Sequence, residues 1–262
     1  MVPSSQAPNP APDPASPDSL GPALDEMADA TDRLLASVDG LDDTALRGPS
    51  LLPGWTRAHL LTHVARNADG LVNLASWART GNETPMYAGG RAGRDADIEA
   101  GSDRHIGDIR LDLSESADRL LGAFADFPAD GLTREVAFGS GAIDAGWEVP
   151  LLRIREVEIH HVDLAAGYTP AHWPGPFVHR TLHQLAPLFR TDRDCPVGRL
   201  AATDAVGPDG AAGADRSWEV AASGPELRGP SSALLAWLTG RSTGDGLVLS
   251  PAGQVPPAPR WA

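Results

Sequence analysis

Glu156 and His160 lie four residues apart in a segment whose apolar residues recur at helical spacing. An α-helix turns about 100° per residue, so these two side chains share one face, and Asp163 falls on the same stripe. A glutamate and a histidine placed in this way can bind a divalent metal ion. Because surface helices with solvated charges show the same spacing, this motif alone leaves both interpretations open.

A second pair of histidines, His59 and His63, lies upstream and is also spaced four residues apart. Thr56 is a typical helix N-cap, and a helix is predicted from there to about Thr80, with both histidines on one face. Catalytic zinc typically takes three protein ligands and leaves a fourth position open, and two histidines with one glutamate form an established set. Either histidine of this pair could complete such a set with the later glutamate and histidine.

The remaining reactive side chains give weaker signals. Glu158 and His161 point away from the stripe and are predicted to be solvated. His179 and His183 share a face, but no glutamate-bearing helix accompanies them. Cys195 has no basic neighbour in the sequence that would activate it as a nucleophile. There is no phosphate-binding loop, serine nucleophile elbow or dinucleotide fingerprint.

The elements that must position these residues follow from the apolar spacing. Long helices are predicted at residues 20–40, 56–80, 94–127 and 150–167, which favours an antiparallel four-helix bundle. The proline-rich residues 1–18 predict a disordered tail, so the all-α domain is expected at residues 19–169. After Pro170 the pattern shortens to two helices and three strands, which predicts a small α+β domain at residues 170–262.

Charge and cysteine content narrow the classes of partner. The net charge of −14 disfavours nucleic acids and anionic membrane surfaces. No apolar run approaches the length of a membrane span, and no secretory signal is recognised. A single cysteine cannot form an internal disulfide and fits a reducing cytosol. We therefore expect a cytoplasmic protein, in which an anionic small substrate would need a local basic pocket. A small-molecule thiol and an anionic small molecule are the expected partners, and the chain is expected to be a monomer.

The chain resembles the mycothiol-dependent maleylpyruvate isomerases in three segments, LPGWTRAHLLTHVARNADGL, LLRIREVEIHHVDLAAGYTPAHWP and GPSSALLAWLTGR. These proteins join a DinB-like four-helix bundle to a small α+β domain likened to sterol carrier proteins. The resemblance implies that zinc, or another divalent metal, is bound by His63, Glu156 and His160. It thereby selects His63 over His59.

The resemblance also implies roles for residues around this centre. Asp163 takes the place of the catalytic aspartate, and Arg241 that of an arginine that binds a substrate carboxylate. Arg66 and Asn67 are expected to line the site of the thiol cofactor, mycothiol.

The implied reaction is the cis–trans isomerisation of maleylpyruvate to fumarylpyruvate. The thiolate adds to the double bond, the resulting single bond rotates, and the thiol is eliminated. Two alternatives stay open, because the metal ligands specify thiol activation better than they specify the electrophile. One is a mycothiol S-transferase that acts on another electrophile, and the other is a non-catalytic protein that binds a thiol or a metal.

Overall fold

The computed structural model describes residues 17–138, 143–190, 195–204 and 216–259. The chain divides into two compact units, Met1–His160 and His161–Ala262. This division comes nine residues before the domain boundary expected from the sequence at residue 170. Asp163 and Arg241, which form an ion pair, thus both belong to the second unit.

The N-terminal unit is mainly helical. Its elements are α1 (Pro17–Val38), α2 (Asp43–Arg47), α3 (Arg57–Thr80), α4 (Gly90–Gly101), α5 (Ile106–Ala123), α6 (Ala129–Leu132), β1 (Glu135–Ala137), β2 (Ile143–Ala145) and α7 (Val149–Asp163), whose last three residues belong to the C-terminal unit. Strands β1 and β2 pair in an antiparallel hairpin, so the expectation of an all-α domain is wrong in this detail. Most of the predicted tail lies outside the described residues, and its last two residues, Pro17 and Asp18, belong to α1.

Helix α3 carries the upstream histidines and has well-defined ends. The Thr56 hydroxyl accepts a hydrogen bond from the backbone N–H of His59 (3.3 Å), and the His59 ring accepts one from the N–H of Thr56 (3.4 Å). Gly81 ends the helix at φ 75°, a left-handed conformation that glycine adopts without strain. Helix α3 packs against α4 and α5, and residues on all its sides are buried. These ends confirm the helix predicted at residues 56–80.

The single helix predicted at residues 94–127 is wrong, because two helices, α4 and α5, occupy this region. The guanidinium of Arg47 lies at the break and donates hydrogen bonds to the carbonyl oxygens of Ser102, Asp103 and Arg104. Arg47 thus binds backbone carbonyl oxygens that would accept intrahelical hydrogen bonds if the helix continued.

Helix α7 is held from two sides within the N-terminal unit. Glu158 is fully buried and accepts a hydrogen bond from Arg33 of α1 (2.6 Å). Arg153, also buried, donates to the carbonyl oxygen of Val64 (2.7 Å) in α3. The prediction that Glu158 and His161 are solvated is wrong, since both are at most 1% exposed. Apolar spacing alone underestimates how much of this helix is covered.

The C-terminal unit is α+β, as expected. Helices α8 (Gly175–Phe189) and α9 (Ser231–Leu238) accompany a sheet of β3 (Arg199–Ala202), β4 (Ser217–Glu219), β5 (Glu226–Gly229) and β6 (Val248–Ser250). The strand order is β4-β3-β5-β6, with β3 and β5 parallel and the other pairs antiparallel. Strand β5 was not predicted. Trp237 of α9 is fully buried in the core of this unit.

Candidate metal centre

Three side chains from two helices converge in the N-terminal unit. His63 projects from α3, and Glu156 and His160 project from α7, one turn apart. The Nε2 atoms of the two histidines are 3.2 Å apart, and Oε2 of Glu156 lies 3.3 Å from Nε2 of His63 and 3.5 Å from Nε2 of His160. Among the residues that the structure describes, no other group of three such side chains could hold a metal ion.

The spacing of these three atoms fits a metal site. Ligand atoms that lie about 2.0–2.1 Å from zinc in a tetrahedral site are about 3.3 Å from one another. The three observed separations of 3.2, 3.3 and 3.5 Å match one face of such a tetrahedron. Two imidazoles and one carboxylate also leave the fourth position open, as in catalytic zinc sites. The donor set and its spacing therefore suit a divalent cation.

Electrostatics keep His63 and Glu156 in the protonation states that metal binding requires. Burial lowers the pKa of His63 from 6.5 to about 4, and the hydrogen bond with Glu156 offsets only part of this shift. Burial acts to raise the pKa of Glu156, but hydrogen bonds from His160 and His63 outweigh it and lower that pKa well below its usual range. Near neutral pH, His63 is therefore neutral and Glu156 is ionised, the forms in which each binds a metal.

Two side chains that the sequence did not single out surround His63. Trp55 packs edge-on against the His63 ring, with 5.5 Å between ring centroids. Arg94 of α4 donates a hydrogen bond from Nη2 to Nδ1 of His63 (3.1 Å). Its guanidinium carbon also lies 6.0 Å from the ring centroids of both Trp55 and Tyr87. The spacing of residues along one helix could not predict this contact, because Arg94 and His63 lie on two different helices.

His59, the alternative histidine on α3, has a structural role. Its Nδ1 lies 2.7 Å from the hydroxyl of Thr56 at the start of α3, and its Nε2 lies 3.2 Å from a carboxylate oxygen of Glu99. The ring therefore folds back over the helix N-terminus.

The two residues expected to line the thiol site lie in different surroundings. Arg66 lines a cavity of about 540 Å³ between α3 and α4, together with Arg94 and Arg104. The Arg66 guanidinium is paired with Asp112 (2.5 Å). Asn67, in contrast, is buried, and its side-chain oxygen accepts a hydrogen bond from Arg153 (3.0 Å).

The two residues expected to act on the substrate bind each other within the C-terminal unit. Arg241 donates from Nε to Oδ1 of Asp163 (3.1 Å) and from Nη2 to Oδ2 (2.7 Å), a bidentate pair. Its Nη1 donates to the carbonyl oxygen of Thr239 (2.6 Å). All three guanidinium nitrogens are thus engaged, and only 2% of the Asp163 side chain is exposed.

Comparison with known proteins shows the family of the chain. Residues 27–165 match the model of the mycothiol maleylpyruvate isomerase N-terminal domain. The chain belongs to this family. Two crystal structures of the mycothiol-dependent maleylpyruvate isomerase, one of a histidine-to-alanine mutant, are similar to the chain with a TM-score of 0.78 and 30% sequence identity. The similarity covers 92% of this chain and 97% of the chain in each crystal structure. No match was found among the curated proteins.

Membership of the mycothiol maleylpyruvate isomerase family confirms the resemblance inferred from the sequence and places the chain among enzymes. The matched N-terminal domain includes the metal-ligand candidates and Asp163, whereas Arg241 lies beyond it. No helix in the described ranges combines the length and apolar character needed to cross a bilayer.

Proposed function

We propose that this chain is a metal- and mycothiol-dependent isomerase that converts maleylpyruvate to fumarylpyruvate. The convergence of His63, Glu156 and His160 on one point carries the proposal, because this set suits a metal ion with an open position. Family membership and the 30% identity to a mycothiol-dependent maleylpyruvate isomerase suggest the thiol and the substrate. We further propose that α1, α3, α5 and α7 form the DinB-like four-helix bundle that presents this centre.

The chemistry of the proposed centre follows from its ligands. A divalent ion held by two imidazoles and a carboxylate favours the thiolate form of a bound thiol, because a cation stabilises the negative sulfur. Burial of His63 keeps its imidazole neutral near neutral pH, so the ring carries a single proton and one of its nitrogens has a lone pair. Glu156 contributes the only negative charge of the three ligands, which leaves the centre with excess positive charge.

The reaction forms one new carbon–sulfur bond and later breaks it. The thiolate sulfur forms a C–S bond at the double bond of maleylpyruvate, and the π electrons move toward the conjugated carbonyl group. The former double bond then rotates as a single bond, and expulsion of the thiolate restores it in the trans geometry. Atoms and electrons balance, so no oxidant or reductant is needed.

Asp163 and Arg241 are proposed to act on the substrate. Asp163 would transfer a proton at the carbon next to the carbonyl group, and Arg241 would bind a substrate carboxylate. Three of the five N–H groups of Arg241 already have acceptors, so a substrate carboxylate would be bound by the other two, one on Nη1 and one on Nη2.

The experiment that tests this proposal separates metal binding from turnover. Elemental analysis should find about one divalent ion per chain, and the ion should be lost in the His63→Ala, Glu156→Ala and His160→Ala variants. The His59→Ala variant is the matched control, because the His59 ring contacts the N-cap residue Thr56, and its loss should leave the metal in place. Full metal content in all three ligand variants would refute the centre.

Turnover then decides between the candidate activities. We expect maleylpyruvate to isomerise only when mycothiol is present. Metal and thiol binding without isomerisation, but with transfer of mycothiol to another electrophile, would favour an S-transferase. That alternative is supported by the ligand set itself, which activates a thiol whatever the electrophile. Binding without any turnover would indicate a non-catalytic protein.

A further inference from the structure

We propose that metal binding at His63 and the hydrogen bond from Arg94 exclude each other. Loading the metal therefore releases the Arg94 guanidinium into the adjacent cavity, where it binds a carboxylate of the substrate. This proposal rests on the proposed metal centre and adds to it a binding residue that becomes available only when the ion is present.

The exclusion follows from the donors and acceptors of the two side chains. Arginine has N–H donors and no acceptor, so His63 Nδ1 must accept the 3.1 Å hydrogen bond with its lone pair. In a neutral imidazole the proton then lies on Nε2, the nitrogen that faces Glu156 and His160. A metal ion at Nε2 requires the lone pair there and moves the proton to Nδ1. Arg94 and His63 would then present N–H groups to each other.

The usual surroundings of metal-binding histidines also indicate that Arg94 opposes metal binding at His63. The second ring nitrogen of such a histidine almost always donates to a carboxylate, a carbonyl oxygen or a water molecule. In this chain Arg94, a donor, stands where an acceptor is expected. The same guanidinium adds a positive charge beside the cation. Both effects oppose metal binding as long as Arg94 stays in place.

The Arg94 side chain borders a cavity into which it can move. Its side chain is 20% exposed and lines the cavity of about 540 Å³ between α3 and α4. Three arginines and two aspartates line this cavity, so Arg94 supplies the excess positive charge. Arg66 and Arg104 are both paired with Asp112, whereas Arg94 is paired with Asp95, which is half exposed. A released Arg94 is thus suited to bind an anionic group in the cavity.

The test compares Arg94→Gln with Arg91→Gln, which removes the same charge from an exposed position on the same helix. Zinc affinity is measured by competition with a chromophoric chelator, and the affinity of the zinc-loaded protein for maleate by calorimetry. Glutamine can accept a hydrogen bond from Nδ1–H, so Arg94→Gln should bind zinc about tenfold more tightly or better, the scale of outer-shell effects on metal sites. The same variant should bind maleate at least tenfold more weakly, while Arg91→Gln changes neither affinity.

Opposite changes in the two affinities are the signature of the proposal, because a merely structural defect would weaken both. Unchanged or weaker zinc binding by Arg94→Gln would show that Arg94 stays on His63 in the loaded protein and would overturn the exclusion. Tighter zinc binding with unchanged maleate affinity would overturn the carboxylate role. Failure of the unmodified chain to bind zinc would instead refute the metal centre, and this inference with it.

Discussion

Acidifying the metal-free protein from pH 7 to pH 5 tests the burial of His63. Burial holds the pKa of this histidine at about 4 in the folded chain, compared with 6.5 for an exposed histidine. Between these two values the unfolded chain takes up a proton at residue 63 and the folded chain does not. The free energy of unfolding must therefore fall as the pH falls through this window, and it is restored above it.

The magnitude follows from the two pKa values. Each pH unit between them is worth about 1.4 kcal/mol, so roughly three fifths of the full effect of about 3.4 kcal/mol is developed at pH 5 and almost none of it at pH 7. His63 alone should therefore lower the free energy of unfolding by about 2 kcal/mol between pH 7 and pH 5. Solvent screening should reduce this free-energy change little, because only 6% of the His63 side chain is exposed.

The assay is urea unfolding at both pH values in the presence of a chelator. His63→Gln removes the titrating group, so its loss of stability on acidification should be smaller than that of the unmodified chain by about 2 kcal/mol. His183→Gln, at an exposed position on α8, should show the same loss as the unmodified chain. An equal loss in His63→Gln and the unmodified chain would refute the argument that this imidazole is kept neutral by burial.

Three further substitutions test other parts of the structure. Gly146→Ala should lower the free energy of unfolding by about 1–3 kcal/mol, because the new Cβ would approach a backbone carbonyl oxygen at 2.3 Å; Gly122→Ala, with open space around it, should not. His59→Ala should cost about 1 kcal/mol in urea unfolding through loss of the α3 cap and leave metal content unchanged in elemental analysis. Arg241→Gln should lower the free energy of unfolding by about 3 kcal/mol, since it leaves Asp163 buried without this partner, and should raise KM for maleylpyruvate; an unchanged KM would contradict the substrate role.

The ligand candidates could be predicted because helix periodicity is a local property. Glu156 and His160 belong to one helix, so their spacing alone places them on one face. The choice of His63 over His59 was different. Both share a face of α3, and only the family resemblance distinguished them. The structure supplies the physical reason, since His59 sits in the first turn and folds back onto Thr56.

Features that depend on residues far apart in the sequence could not be predicted. Glu158 is buried and pairs with Arg33 of α1, and a helical wheel contains no information about that neighbour. The break between α4 and α5 depends likewise on Arg47, which reaches across from α2. Strand β5 is only four residues long, and its register depends on its parallel pairing with β3.

Two arginine contacts on α7 affect how accurately the proposed metal ligands are placed. Arg33 holds Glu158 on one side of this helix, and Arg153 attaches another side to the backbone of α3. A turn of the helix by about 10° would shift an atom about 6 Å from its axis by about 1 Å. That exceeds the tolerance of about 0.5 Å within which a working site must be held. In the proposed metal centre, selectivity should therefore depend on Arg33 and Arg153, which would not contact the ion, because they fix the rotation of the helix that carries Glu156 and His160.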